Sequence, residues 1–216
     1  DMEGRIAAGR PGSIIRPLMN ALTVYCASST RIDDHWYAAA AAVGEWLGRR
    51  RCDLIFGGGG IGLMGAVAAS TRKHGGRVTG IITQVLVDKE QLDPACDETI
   101  IVETMQERRR LLADRGDAFL VLAGGLGTYE EFFEVLVGRT LLSHEKPIGI
   151  VNDRGYFDPL VAMLDHGIEL GFIRPAVREL LVIDSDPLVV LERLASPTTV
   201  TGSADRFIPS GQERSS

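Results

Sequence analysis

The chain has 216 residues, 45% of them apolar, and a formal charge of −6. It is long enough to bury one full core, and it lacks the cationic excess that a general nucleic-acid surface draws on. No apolar run reaches the roughly 18 residues that a membrane span needs, and the opening stretch "DMEGRIAAGRPGSIIRPLMN" lacks a signal-peptide core, so the sequence predicts a cytoplasmic protein without nucleic-acid or membrane partners.

Residues 1–20 show no clean periodicity and are expected to be mobile. Then short apolar runs alternate with helical patterns. "LTVYCA" reads as a strand and "WYAAAAAVGEWLGRR" as a helix, whose alanine run between Trp36 and Trp46 suits a packed helix rather than a linker. Arg49, Arg50 and Arg51 fit the negative end of that helix. "DLIFGG", "RVTGIIT", "TIIVE", "AFLVLAGG", "PIGIVN" and "LLVID" continue the strands; "GLMGAVAASTRKHG", "MQERRRLLADRG", "TYEEFFEVLVGRTLL", "FDPLVAMLDHGIELG" and "PLVVLERL" continue the helices. Strands apolar on both faces and separated by helices imply a parallel sheet covered on each side. The expectation is an α/β fold, a Rossmann-like three-layer sandwich with a mainly parallel sheet, forming one domain over residues 21–195. Residues 196–216, rich in Ser, Thr, Gly and Pro, are expected to form a mobile tail.

In open parallel sheets, ligands bind beyond the carboxyl ends of the strands. Four loops qualify: "CASST", "GGGGIGLMG" (Gly57 to Gly65), "VDKEQL" and "AGGLGTYEE". The second contains the G-x-G-x-x-G spacing of dinucleotide sites, but it follows the second strand and lacks a suitably placed acidic residue. A tight strand-to-helix turn explains its glycines equally simply. "AGGLGT" lacks the Lys-Ser/Thr pair of a nucleoside triphosphate loop, leaving backbone N–H groups and the Thr128 hydroxyl at a helix start, which suits one phosphate monoester.

Next to that loop stand Glu130 and Glu131. Thr128 and Glu131 match a capping box, and Glu130 matches a favourable first-turn charge. Arg108, Arg109 and Arg110 open another helix, where cations meet the positive end of the dipole and need compensation. A guanidinium set against Glu131 and a substrate anion supplies it. Cys26, Cys52 and Cys96 have neither metal-ligand nor disulfide-framework spacing. They fit a reducing compartment, with Cys26 as a small buried hydrophobe rather than a catalytic thiol.

"MQERR" and "GLGTYEE" together resemble the M-x-x-R-K and P-G-G-x-G-T-x-x-E motifs of the LONELY GUY proteins, cytokinin-activating phosphoribohydrolases often labelled lysine decarboxylases. The likeness runs from about Leu22 to Leu194 and includes "VYCASS", "HEKPIGIVN" and "GYFDPLVAMLDHGIELGFI". It implies a nucleotide-binding catalytic domain that hydrolyses the N-glycosidic bond of a nucleoside 5′-monophosphate to a free base and ribose 5-phosphate, without a cofactor or metal. On this resemblance Arg108 and Glu131 are catalytic. Substrate contacts fall to Glu90, Met105, Arg109, Gly124, Gly125, Leu126, Gly127, Thr128, Tyr129 and Glu130. It also implies a homodimer whose subunits complete each other's site.

Ala123, Gln106, Ala27 and Val137 stand where the family has proline, histidine, glycine and, in many members, threonine; this bears on base preference rather than reaction type. Two rival readings stand beside the enzyme. One is a nucleotide or molybdenum-cofactor carrier without turnover. The other is a broader nucleosidase acting on AMP and other nucleoside monophosphates.

Overall fold

Seven parallel strands form one sheet in a computed structural model of the protein, which describes residues 19–90, 92–196 and 206–207, without the side chain of Glu90. The strands are β1 (Ala21–Tyr25), β2 (Asp53–Phe56), β3 (Val78–Thr83), β4 (Glu98–Val102), β5 (Ala118–Val121), β6 (Ile148–Val151) and β7 (Leu181–Asp184). Helices α1 (His35–Arg50), α2 (Gly62–Lys73), α3 (Gln84–Glu90), α4 (Met105–Arg115), α5 (Leu126–Thr140), α6 (Asp158–Glu169) and α7 (Pro187–Ala195) alternate with them.

The order β4-β3-β2-β1-β5-β6-β7 means that the chain builds outward from β1 in one direction, then returns to its other side. Val24 is in register with Leu120 and Tyr25 with Val121, so β1 and β5 end level with each other. Their following loops diverge there, and the crevice between them is where such sheets bind ligands.

The period of two along each strand divides the core into two layers. Leu22, Val24, Leu54 and Leu120 pack with Leu47, Val67 and Val190 on the face covered by α1, α2 and α7. Tyr25, Ile55, Phe119 and Val121 point the other way, to Leu112, Phe132 and Leu160 on α4, α5 and α6. This double burial accounts for the unbroken apolar runs. β4 lies at the sheet edge, where Ile101 is exposed, so its pattern alternates instead.

The arginine triplet closes α1 as its composition suggests. Arg49 pairs with Glu45 at 2.7 Å, Arg50 lies over the Trp46 ring, and Arg51 caps the helix in a left-handed conformation. One expectation needs correction. "VDKEQL" is no simple loop: its first four residues complete α3, a stretch without Gly or Pro in which Gln84, Leu86, Lys89 and Glu90 favour the helix. Within the tail, Phe207 is buried in the second core layer and Arg206 pairs with Glu179 at 2.7 Å. Most of residues 1–20 and 196–216 lies outside the described residues.

Candidate active site

A cavity of about 260 Å³ opens at the β1/β5 crevice. Its walls come from Tyr25 to Ser28 after β1, Gly57 after β2, Met64 on α2, Arg108 on α4, and Gly125, Leu126, Gly127, Thr128 and Glu131 at the start of α5. Three of the four loops singled out in the sequence therefore meet here.

Arg108 reaches this point because α4 begins immediately beyond β4. Thr104 caps the helix, its hydroxyl accepting from the Glu107 N–H at 3.1 Å. The guanidinium is buried. Its Nε donates to the Ile81 carbonyl at 2.9 Å and its Nη2 to the Gly57 carbonyl at 3.0 Å. Both acceptors lie in or just beyond neighbouring strands, so the planar fork is fixed at two points. Nη1 faces Glu131 Oε1 at 4.0 Å, with side-chain exposures of 7% for Arg108 and 14% for Glu131. Gly57 is needed for this approach, since a methyl group at its Cα would strike Nη2.

The capping box expected at Thr128 does not form. α5 starts three residues earlier than Tyr129, with Gly125 as its cap, and Thr128 lies inside the first turn. Glu131 is therefore more than a full turn into the helix rather than at its N3 position. Its side chain turns to the cavity. The helix entrance is open at Gly125 and Gly127, where a methyl group would meet nothing within 4 Å, and closely packed at Gly124, where one would strike Thr128.

The other arginines are compensated separately. Arg109 lies 3.0 Å from Glu130 and 2.6 Å from Glu134, tying α4 to the outer flank of α5. Arg110 pairs with Asp114 at 3.0 Å on the surface. The structure thus splits the residues that the sequence grouped. Gly125, Leu126, Gly127 and Thr128 join Arg108 and Glu131 at the cavity, whereas Met105, Arg109, Tyr129 and Glu130 are not among its walls. Gly124 borders a neighbouring cavity. Glu90 ends α3, and its side chain lies outside the described residues.

Electrostatics favour a neutral lining around the one ion pair. Burial, with Glu131 nearby, pushes the Cys26 thiol up, which keeps it protonated and unsuited to nucleophilic attack. Burial, then Glu131 and Glu134, likewise raises the Tyr25 phenol. Cys26, Ser28 and Met64 belong to loops that the sequence marks as candidates, whereas Tyr25 does not, because nothing in its local pattern sets it apart from a core residue. Lys73, Lys89 and Lys146 are absent from the walls, and Lys146 donates to the Ala113 and Asp114 carbonyls, so no lysine is set here for Schiff-base chemistry. Among the described residues, no group of three or more His, Cys, Asp or Glu side chains is gathered for a metal, and no helix is long and apolar enough to cross a membrane.

Comparison with known proteins follows the same line. Residues 64–194, which include Arg108, the glycine loop and Glu131, match the family model described as "Possible lysine decarboxylase". A cytokinin riboside 5′-monophosphate phosphoribohydrolase of Mycobacterium tuberculosis is 40% identical over 162 residues, covering 75% of this chain and 86% of that protein. One from Arabidopsis thaliana is 36% identical over 181 residues, covering 84% and 79%. Among solved structures, the molybdenum cofactor carrier protein of Chlamydomonas reinhardtii shares the fold, with a TM-score of 0.60 and 16% identity over 81% of this chain and 94% of that one. The chain belongs to the LONELY GUY family of phosphoribohydrolases, to which the lysine decarboxylase label is also attached.

Proposed function

We propose that the protein is a phosphoribohydrolase that cleaves the N-glycosidic bond of an adenosine 5′-monophosphate, with or without an N6 substituent, as cytokinin activation requires. The observation that carries this reading is the meeting of Arg108 and Glu131 at 4.0 Å, beside an uncovered glycine loop at a helix start. Relatives 36% and 40% identical to this chain are named for this reaction on cytokinin riboside 5′-monophosphates.

In the reaction, the bond between C1′ and the base nitrogen breaks, and the base leaves with the bonding electrons and a proton. Water supplies the hydroxyl that ends on C1′. Positive charge builds on C1′ and O4′ as the bond opens, and a carboxylate at that point stabilises it or takes a proton from the attacking water. Glu131 has that role. Arg108, itself pinned by two carbonyls, keeps Glu131 ionised and aimed. The N–H groups of Gly125 to Thr128 and the Thr128 hydroxyl hold the 5′-phosphate, so binding energy remote from C1′ orients the sugar. Arg109, Met105, Tyr129 and Glu130 act around this centre rather than in it, and Glu90 contacts substrate from α3.

The active unit is a homodimer. Val137 on α5 and Leu141 at its C-terminal cap, 52% and 57% exposed, offer an apolar face for a second copy, and Leu126 at the cavity rim, 87% exposed, leaves the mouth open for its contribution. The free thiols Cys26, Cys52 and Cys96 suit the cytoplasm.

The test is incubation with AMP and with N6-isopentenyl-AMP, following free base and ribose 5-phosphate. Release from at least one is expected, and their ratio gives the base preference. Tight binding of both without release would favour a carrier instead.

A further inference from the structure

The glycine loop that opens α5 has empty space on both sides. Opposite the polar cavity lies a second one of about 220 Å³, lined largely by apolar groups including Ile32, Trp36, Leu63 and the ring of Tyr156. Gly125 borders both cavities, while Gly124 borders only this second one. Gly125 has open space where a side chain would stand, so little packing holds its side of the Gly124–Gly125 peptide, and glycine allows that plane to rotate at low cost.

One polar group enters from the apolar side. The Tyr156 hydroxyl donates to the Gly124 carbonyl at 2.6 Å. The phenol is well placed to hold its position, since its ring packs edge-on against Trp36 at 5.4 Å and Phe157 at 4.9 Å. The turn beneath it is fastened by Asn152, which accepts from the Phe157 N–H at 2.7 Å and donates to Asp158 at 2.7 Å. Tyr129 leans on the same group: burial, followed by a hydrogen bond with Tyr156, pushes its phenol up to about 12. On its other side Gly124 is pressed against Thr128, where a methyl group would collide with the hydroxyl.

The Gly124 carbonyl and the Gly125 N–H belong to one planar peptide and point in opposite directions. Fixing the oxygen toward Tyr156 therefore turns the N–H toward the polar cavity. We propose that Tyr156 is a positioning residue: by holding the Gly124 carbonyl, it orients the Gly125 N–H, the first donor of the loop, at the substrate phosphate. This rests on the reading of the loop as the phosphate site. Loss of the hydroxyl frees the peptide to flip, which replaces the donor with a carbonyl oxygen facing the anion.

Tyr156→Phe keeps the ring and removes only the hydroxyl. Titration calorimetry with ribose 5-phosphate and with AMP needs no turnover, and both should bind about tenfold more weakly, as expected for losing one oriented donor to a charged group. Adenosine, which has no phosphate, should bind as it does to the wild type. In turnover, KM for AMP should rise in the same proportion with kcat within about threefold. Unchanged affinity for both phosphate ligands in Tyr156→Phe would overturn the inference alone, as would an equal loss for adenosine. A wild-type protein that binds neither ribose 5-phosphate nor AMP would overturn the phosphate-loop reading together with it.

Discussion

Arg108 is more than a partner for Glu131, and Arg108→Met separates its structural contribution from its chemical one. Methionine retains much of the apolar stem but has no donors. The Ile81 and Gly57 carbonyls, which now accept at 2.9 and 3.0 Å, lose a charged donor each. A buried hydrogen bond to a charged group contributes about 1.5–3 kcal/mol. The facing carboxylate loses an attraction of about 4 kcal/mol at 4.0 Å and an effective dielectric near 20, though relief from desolving the guanidinium offsets much of it. A net destabilisation of about 3–5 kcal/mol follows. At this chain length that lowers Tm by roughly 6–20 °C. Calorimetric unfolding measures the loss, and base release at a temperature where the variant remains folded should fall by about 100-fold or more. An Arg108→Met protein with Tm within 2 °C of wild type and near-normal turnover, both roughly judged against those scales, would refute the reasoning.

Two further outcomes follow from groups outside the reaction. Cys26 is buried and its thiol is held protonated, so iodoacetamide at pH 8, near the usual thiol range, should leave it unmodified in the folded protein and label it only after unfolding; rapid labelling in the native state would contradict the account. His144 accepts the Lys146 N–H at 3.2 Å and faces the Val135 carbonyl at 2.9 Å, which together suit neutral imidazole, and burial lowers its pKa. The unfolded chain therefore takes up this proton first as pH falls below about 6.5, and stability declines in that direction. His144→Gln should show a shallower fall in Tm between about pH 6.5 and 5, and parallel profiles would exclude the effect.

The layered fold was readable because runs such as "AFLVL" bury both faces of a strand, and only a sheet covered on each side accommodates that. The proximity of Arg108 and Glu131 follows from a different signal: two local motifs, each with a bland explanation alone, match one family when taken together. Local pattern misled at Thr128, where a capping box was expected. A threonine cap does form at Thr104, which has the same spacing to Glu107 and accepts from the Glu107 N–H. Both stretches satisfy the pattern, and only the backbone position of each helix start distinguishes them. Tyr156 was hidden more deeply. Its partner Gly124 is 32 residues away, and no local periodicity reports a contact made across the sheet.

Glu131→Gln isolates the charge of the side chain proposed to act at C1′, because the replacement preserves its shape and hydrogen-bonding reach. Single-turnover cleavage of the preferred nucleotide, measured beside its equilibrium binding, should show affinity within about threefold of wild type and a cleavage rate lower by about 10²–10⁴. Undiminished cleavage by folded Glu131→Gln would contradict a carboxylate acting at the anomeric carbon.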